Sequence, residues 1–145
     1  MNKKKHFNFN RPYVFVPMSL DFLHHGHINI LLKASKYGKV IVGLMTDKGI
    51  KSYKHKKPLI NYQNRKKILM HLKMVKKIIP INGLLYTKFA KRYNFDYFVH
   101  GDDWKSGPQK LQRQKLFMLM KKWGGKVIDV KYTKNISSTL IKKNF

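Results

Sequence analysis

The chain contains no cysteine and no glutamate, and it has no long apolar run. Without cysteine there is no disulfide framework, no thiolate zinc site and no cysteine nucleophile. The best apolar run, Val40 to Met45, is six residues long, far short of the roughly 20 that a membrane-spanning helix needs. The basic start, Met1 to His6, is followed by no apolar signal segment and no small-residue cleavage site, so a soluble, cytoplasmic protein without membrane insertion is expected. Its 145 residues, 43% hydrophobic and 13% aromatic, suffice for one core and argue against wholesale disorder. No internal repeat or linker interrupts them. The expected organisation is a basic, frayed N-terminal extension over residues 1–11 and a single domain over 12–145.

Acid is as scarce as glutamate suggests. Six aspartates face 32 Lys and Arg, giving a net charge of +26. The arginines are Arg11, Arg65, Arg92 and Arg113, so 28 of the 32 are lysine. A field this positive attracts polyanions, but the lysines are spread over nearly every segment and no nucleic-acid-binding motif accompanies them. Compositional drift on solvated faces explains the pattern better than a nucleic-acid-binding module, and a small anionic substrate fits the charge equally well.

Apolar runs alternate with helical periodicity along the chain. Tyr13 to Val16 reads as a buried strand. A helix follows over about His27 to Tyr37, with Ile28, Leu31, Leu32 and Ser35 on one face and Gly38 as its left-handed cap. Lys39 to Leu44 is a second strand, and residues 46–60, with five lysines, read as a basic loop. Asn61 can cap a helix to about Leu72, its inward side Ile68, Leu69 and Leu72. The strand Val75 to Ile79 should close at Pro80. A short helix near Thr87 to Tyr93, the strand Tyr97 to His100, a helix from about Gln109 to Trp123 ending at Gly124-Gly125, the strand Lys126 to Val130 and a last helix near Ser137 complete the chain. The fold class is therefore α/β: a Rossmann-like three-layer sandwich on a five-stranded parallel sheet. Such sheets bind ligands at the carboxyl ends of their strands, where strand order reverses.

The first strand-to-helix loop there reads Pro17-Met18-Ser19-Leu20-Asp21-Phe22-Leu23-His24-His25-Gly26-His27. Its H-x-G-H spacing falls at a helix start, where free backbone N–H groups and the dipole favour anions. Gly26 lets a flat ring or phosphate approach the backbone. The imidazoles of His24 and His27 can donate hydrogen bonds to a phosphate and add charge when protonated.

This loop resembles the signature of the cytidylyltransferase-like nucleotidyltransferases. Thr46-Asp47, Tyr53-Lys54-His55-Lys56, Arg65, His100-Gly101-Asp102-Asp103-Trp104 and Ile136-Ser137-Ser138-Thr139 follow in family order, over most of the chain. Met18-Ser19, His100 to Lys105, Trp123-Gly124-Gly125 and Tyr132-Thr133 resemble the branch associated with phosphonate biosynthesis. Glycerol-3-phosphate cytidylyltransferases usually carry arginine where Tyr132 stands. Two positions depart from the pattern: Pro17 replaces a glycine and so removes a backbone donor, and Lys142 replaces an arginine and so loses its bidentate fork.

The resemblance implies transfer of CMP from CTP to a small phosphonate such as 2-aminoethylphosphonate, by in-line attack without a covalent intermediate. The alternatives are glycerol-3-phosphate or phosphoethanolamine as acceptor, or ATP as donor. The attacking group is already an anion, so no general base is needed, which agrees with a chain that has no obvious nucleophile–base pair. His24, His27 and Lys54 are the implied catalytic residues. Met18, Ser19, Leu20, Asp21, Gly26, Lys56, Gly101, Asp103, Trp104, Ile136, Ser137, Ser138 and Thr139 are the implied nucleotide contacts, and Arg65 and Tyr132 the acceptor contacts. Mg²⁺ is expected to arrive on the nucleotide phosphates without protein ligands of its own. A homodimer is implied by the resemblance alone.

Overall fold

The computed structural model describes residues 6–144, so residues 1–5 of the basic extension lie outside the described residues. The elements run β1 (Tyr13–Met18), α1 (His25–Ser35), β2 (Lys39–Met45), α2 (Asp47–Lys54), α3 (Tyr62–Met70), β3 (Val75–Ile81), α4 (Tyr86–Tyr93), β4 (Tyr97–Gly101), α5 (Lys110–Met120), β5 (Lys126–Val130) and α6 (Ser138–Lys142). The five strands form one parallel sheet in the order β3-β2-β1-β4-β5. The order reverses between β1 and β4, which opens the crevice that the sequence reading anticipates.

Alternation along the central strands divides the core in two. Tyr13 and Phe15 of β1 and Ile41 and Met45 of β2 pack on one face with Tyr86 and Ala90 of α4 and Leu116 and Met120 of α5. Val14, Val16, Val40, Val42 and Leu44 pack on the other with Leu31 and Ala34 of α1 and Leu69 of α3. Both faces are covered, so β1 and β2 read as unbroken apolar runs. The three-layer α/β architecture expected from the sequence is present.

Several local details differ from expectation. Within 46–60 lies a helix, α2: the Thr46 side chain accepts from the Gly49 amide at 3.1 Å, and His55 ends the helix with φ 57°. Gly49 hides the helix from the sequence, but it is needed there, because a Cβ would stand 2.8 Å from the Asn82 backbone. The buried side of α1 is Leu31 and Ala34, whereas Leu32 is 49% exposed and Ser35 faces solvent. The α1 cap is Lys36, in right-handed geometry, and Gly38 is required instead by the Pro12 carbonyl, 2.6 Å from a hypothetical Cβ. Ile68 lies on the outside of α3. Strand β3 runs through Pro80 to Ile81 because it pairs only with β2, and an edge strand tolerates a missing donor.

Residues 7–11 are not loose. Phe7 stacks on Phe9 and Tyr93 at centroid distances of 5.2 and 4.8 Å. Arg11 donates to the carbonyls of Asn94 and Tyr93 and pairs with Asp96 at 3.0 Å.

Candidate active site

A cleft of about 290 Å³ opens at the carboxyl ends of β1 and β4. Met18, Ser19, Leu20, Asp21, His24, Gly26 and His27 line one side, Lys54 another, and Gly101, Asp103, Tyr132, Ile136, Ser137, Ser138 and Thr139 the rest. Most of the residues implied by the resemblance thus converge. Lys56, Arg65 and Trp104 do not line it.

The histidine loop is held by its own backbone. His24 is the N-cap of α1 in extended geometry, and its Nδ1 accepts from the Gly26 amide at 3.1 Å. His27 Nδ1 accepts in turn from the His24 amide at 3.2 Å, which closes a capping box made of two imidazoles. Gly26 has a structural reason beyond ligand approach: a Cβ there would lie 2.8 Å from His24 Cε1. Burial, followed by the charges of His24 and Lys54, pushes the His27 ring down to about 3. Burial and His25 lower His24 as well. Both rings are therefore neutral at physiological pH. With Nδ1 accepting, the proton sits on Nε2, so each ring offers the cleft an N–H donor and no positive charge. Just before them, Leu20 takes φ 55°, costly for a side chain of its size, and is fixed there by its own burial.

Asp21 faces this loop but is already engaged. It accepts from the Leu59 and Ile60 amides at 3.2 and 3.0 Å and pairs with Lys142 of α6. Burial alone would raise its carboxyl, but the Lys142 ammonium and the two amides outweigh burial and hold it below its ordinary value. Lys142, the departure noted in the sequence, spends its charge here. Lys54 ends α2 at the cleft. Its neighbour Tyr53 ties that helix to the β1 loop through a 2.7 Å hydrogen bond with Ser19 Oγ. Lys56 falls beyond the cap at His55 and is exposed.

Arg65 is wholly buried, and its guanidinium is used up. It donates to the carbonyls of Ile60, Ser19 and Met45 at 2.9, 2.6 and 2.7 Å and pairs with Asp47 at 2.6 Å. It braces the ends of β1 and β2 and the starts of α2 and α3, where an acceptor contact was expected.

On the far side, Gly101 lets the Asp103 carboxylate approach, since a Cβ would meet Asp103 Oδ1 at 2.8 Å. Trp104 is buried, stacked on Phe98 and His100, and its indole N–H donates to Asp129 at 2.6 Å. It supports His100, a cleft residue that belongs to the His100 to Trp104 motif but not to the contacts implied by the resemblance. Burial lowers His100 despite the raising effects of the Gly101 carbonyl, Asp103 and Asp129. The Tyr132 amide is fixed by Asp102 at 2.9 Å. Ser137 caps α6 by accepting from the Leu140 amide at 3.0 Å, which leaves its O–H to donate. Ser138 both accepts from the Phe22 amide and donates to the Phe22 carbonyl, tying α6 to the histidine loop. Tyr53, Tyr86 and Gln109 also line the cleft. Tyr53 sits in the Tyr53-Lys54-His55-Lys56 stretch, whereas Tyr86 and Gln109 come from distant segments that no local signal marks.

Among the described residues no three His, Cys, Asp or Glu side chains converge as a metal site. Of the cleft carboxylates, Asp21 is held by Lys142, which leaves Asp103. This donor set suits a divalent ion carried by phosphates and water better than one held by protein ligands.

The chain belongs to the cytidylyltransferase-like family, whose model matches residues 17–144. Its activity is nucleotidyl transfer of the cytidylyltransferase type. Among its relatives is a glycerol-3-phosphate cytidylyltransferase of Staphylococcus aureus, 34% identical over 125 residues and covering 85% of this chain and 86% of that protein. An ethanolamine-phosphate cytidylyltransferase of Dictyostelium discoideum is 31% identical over 87% of this chain and 34% of its own length. The lipopolysaccharide core biosynthesis protein of Thermoplasma volcanium superposes with a TM-score of 0.66 at 25% identity, over 86% of this chain and 98% of that one. None of these names a phosphonate acceptor. No helix among the described residues is long and apolar enough to cross a membrane.

Proposed function

We propose that the protein transfers CMP from CTP to a small phosphate monoester, glycerol-3-phosphate foremost, and releases pyrophosphate. The observation that carries this reading is a match to glycerol-3-phosphate cytidylyltransferases over most of both chains, joined to a cleft with two neutral imidazole donors. An acceptor phosphate oxygen attacks the α-phosphorus in line. A new P–O bond forms, the α–β bridge breaks, and pyrophosphate leaves with the electron pair. Catalysis then consists of alignment and charge stabilisation.

In this reading His24 and His27 donate Nε2–H to the α- and β-phosphate oxygens, and Lys54 supplies the cation that the imidazoles do not. Ser137, Thr139 and the Met18–Leu20 backbone hold phosphates, while Gly101 and Asp103 receive cytosine and ribose. Mg²⁺, bound through the phosphates, would neutralise triphosphate charge. Asp21 and Arg65 act one layer out by fixing the loops. A neutral polyol tail suits the cleft better than an ammonium, because Asp21 is already paired and Asp103 is assigned to the nucleoside. A homodimer is carried with the family resemblance.

A phosphonate acceptor is the second reading, favoured by Tyr132 lining the cleft where glycerol-3-phosphate enzymes usually have arginine. Pyrophosphate release should be measured with CTP or ATP against glycerol-3-phosphate, phosphoethanolamine and 2-aminoethylphosphonate. The expected result is turnover with CTP and glycerol-3-phosphate at least tenfold above every other pair. Preference for 2-aminoethylphosphonate would select the second reading, and preference for ATP would overturn both.

A further inference from the structure

The outer surface of α5 serves no purpose in the cleft. Leu116 and Met120 point into the core, so on a helix of 3.6 residues per turn the opposite pole falls to Leu111, Gln114 and Met118. Leu111 is 60% and Met118 64% exposed, and two turns apart they form an apolar ridge facing water. Lys115 and Lys122 lie beside Met118 on one flank of the ridge, the helix geometry puts Lys110 on the other, and Lys121 follows in the turn after α5; all four are exposed. The Lys121 ammonium lies 4.6 Å from the ring centroid of the half-exposed Phe117. No acid occurs between Lys105 and Ile128.

We propose that this face of α5 docks on an anionic lipid surface, with Leu111 and Met118 entering the headgroup layer and the flanking lysines reaching its phosphates. Lysine stems cover apolar surface while their ammonium groups stay with the anions, which is how interfacial helices are built. Charge complementarity selects the occupant. A second copy placed symmetrically on the face would set these lysines against their own kind in a chain of net charge +26. Nucleic acid would answer the lysines but give no role to the aliphatic pair at the apex. None of these residues lines the cleft, whereas Gln109, immediately before α5, does. Docking therefore leaves the cleft beside the surface and open. The proposal is independent of which acceptor the cleft takes.

The full chain should be floated with vesicles rich in phosphatidylglycerol and with pure phosphatidylcholine vesicles, and duplex DNA titrated at the same salt. The expected result is binding to the anionic vesicles alone among the lipids, weakened roughly tenfold or more by Lys115→Gln with Lys122→Gln. Leu111→Gln with Met118→Gln should weaken vesicle binding several-fold, leave DNA affinity unchanged and leave the melting temperature near that of the parent. No binding to anionic vesicles would overturn the proposal. So would unaltered vesicle affinity in the Leu111/Met118 variant, or DNA binding tighter than vesicle binding.

Discussion

The two sides of the cleft are built by opposite means. The β1–α1 side presents uncharged rings: two imidazoles cap their own helix and accept from amides at 3.1 and 3.2 Å, and the nearby Asp21 is compensated by Lys142. The β4–β5 side is charged and long-range: Asp129 accepts from Trp104, 25 residues away, and from both forks of Arg113, 16 residues away. The first side presents donors, whereas the second holds its presenting residues still. The same buried setting thus leaves the imidazoles uncharged and the carboxylates Asp21 and Asp129 ionised, because each carboxylate has a cation paired with it.

Substitution should separate the two sides most clearly through rate. His24→Ala is expected to cost roughly 10²–10³ in kcat and only about 1 kcal/mol in stability, the usual worth of a lost cap. Steady-state pyrophosphate release alongside thermal melts checks this, and turnover within tenfold of the parent would remove His24 from the chemistry. Asp129→Ala should reverse the balance. Removing it strands the Arg113 guanidinium and the Trp104 N–H, at a cost of about 3 kcal/mol by denaturant titration, with kcat falling far less than in His24→Ala.

Acid should sharpen the contrast further, with a smaller effect. The His27 ring is held neutral, its value pushed from 6.5 to about 3, so below 6.5 the unfolded chain binds more protons and stability declines as pH falls towards 3. The Asp129 carboxyl moves the other way in charge. Burial would raise it, but Arg113, Trp104 and Lys105 hold it below its ordinary 3.8, so its contribution persists above that value and is lost only in stronger acid. Chemical denaturation from pH 7 to 3 should therefore show His27→Asn flattening the decline above about pH 5, where Asp129→Asn changes no slope.

What could be read in advance follows the same division. The H-x-G-H spacing encodes a cap within one helical turn, and Asn61 acts as a cap where the sequence puts it. Alternation in β1 and β2 likewise reports two covered faces directly. Arg65 could not be read this way, because its partners come from four segments and only the fold unites them. Trp104 sits in a recognisable motif, yet its ring turns inward because Phe98 and His100 offer it parallel faces. Helix α2 escaped because its glycine and lysines depress the local signal, while the packing against Asn82 that needs Gly49 is remote in sequence.

The ion pairs described above divide labour between the two basic residue types. Arg11, Arg65 and Arg113 each lock onto an aspartate inside the frame, and Arg92 lies over the Tyr93 ring. Among the lysines, Lys142 and Lys105 reach carboxylates. The skeleton is thus riveted with arginine and upholstered with lysine. A lineage can enrich or thin the upholstery, and with it solubility and attraction to polyanions, without loosening a rivet.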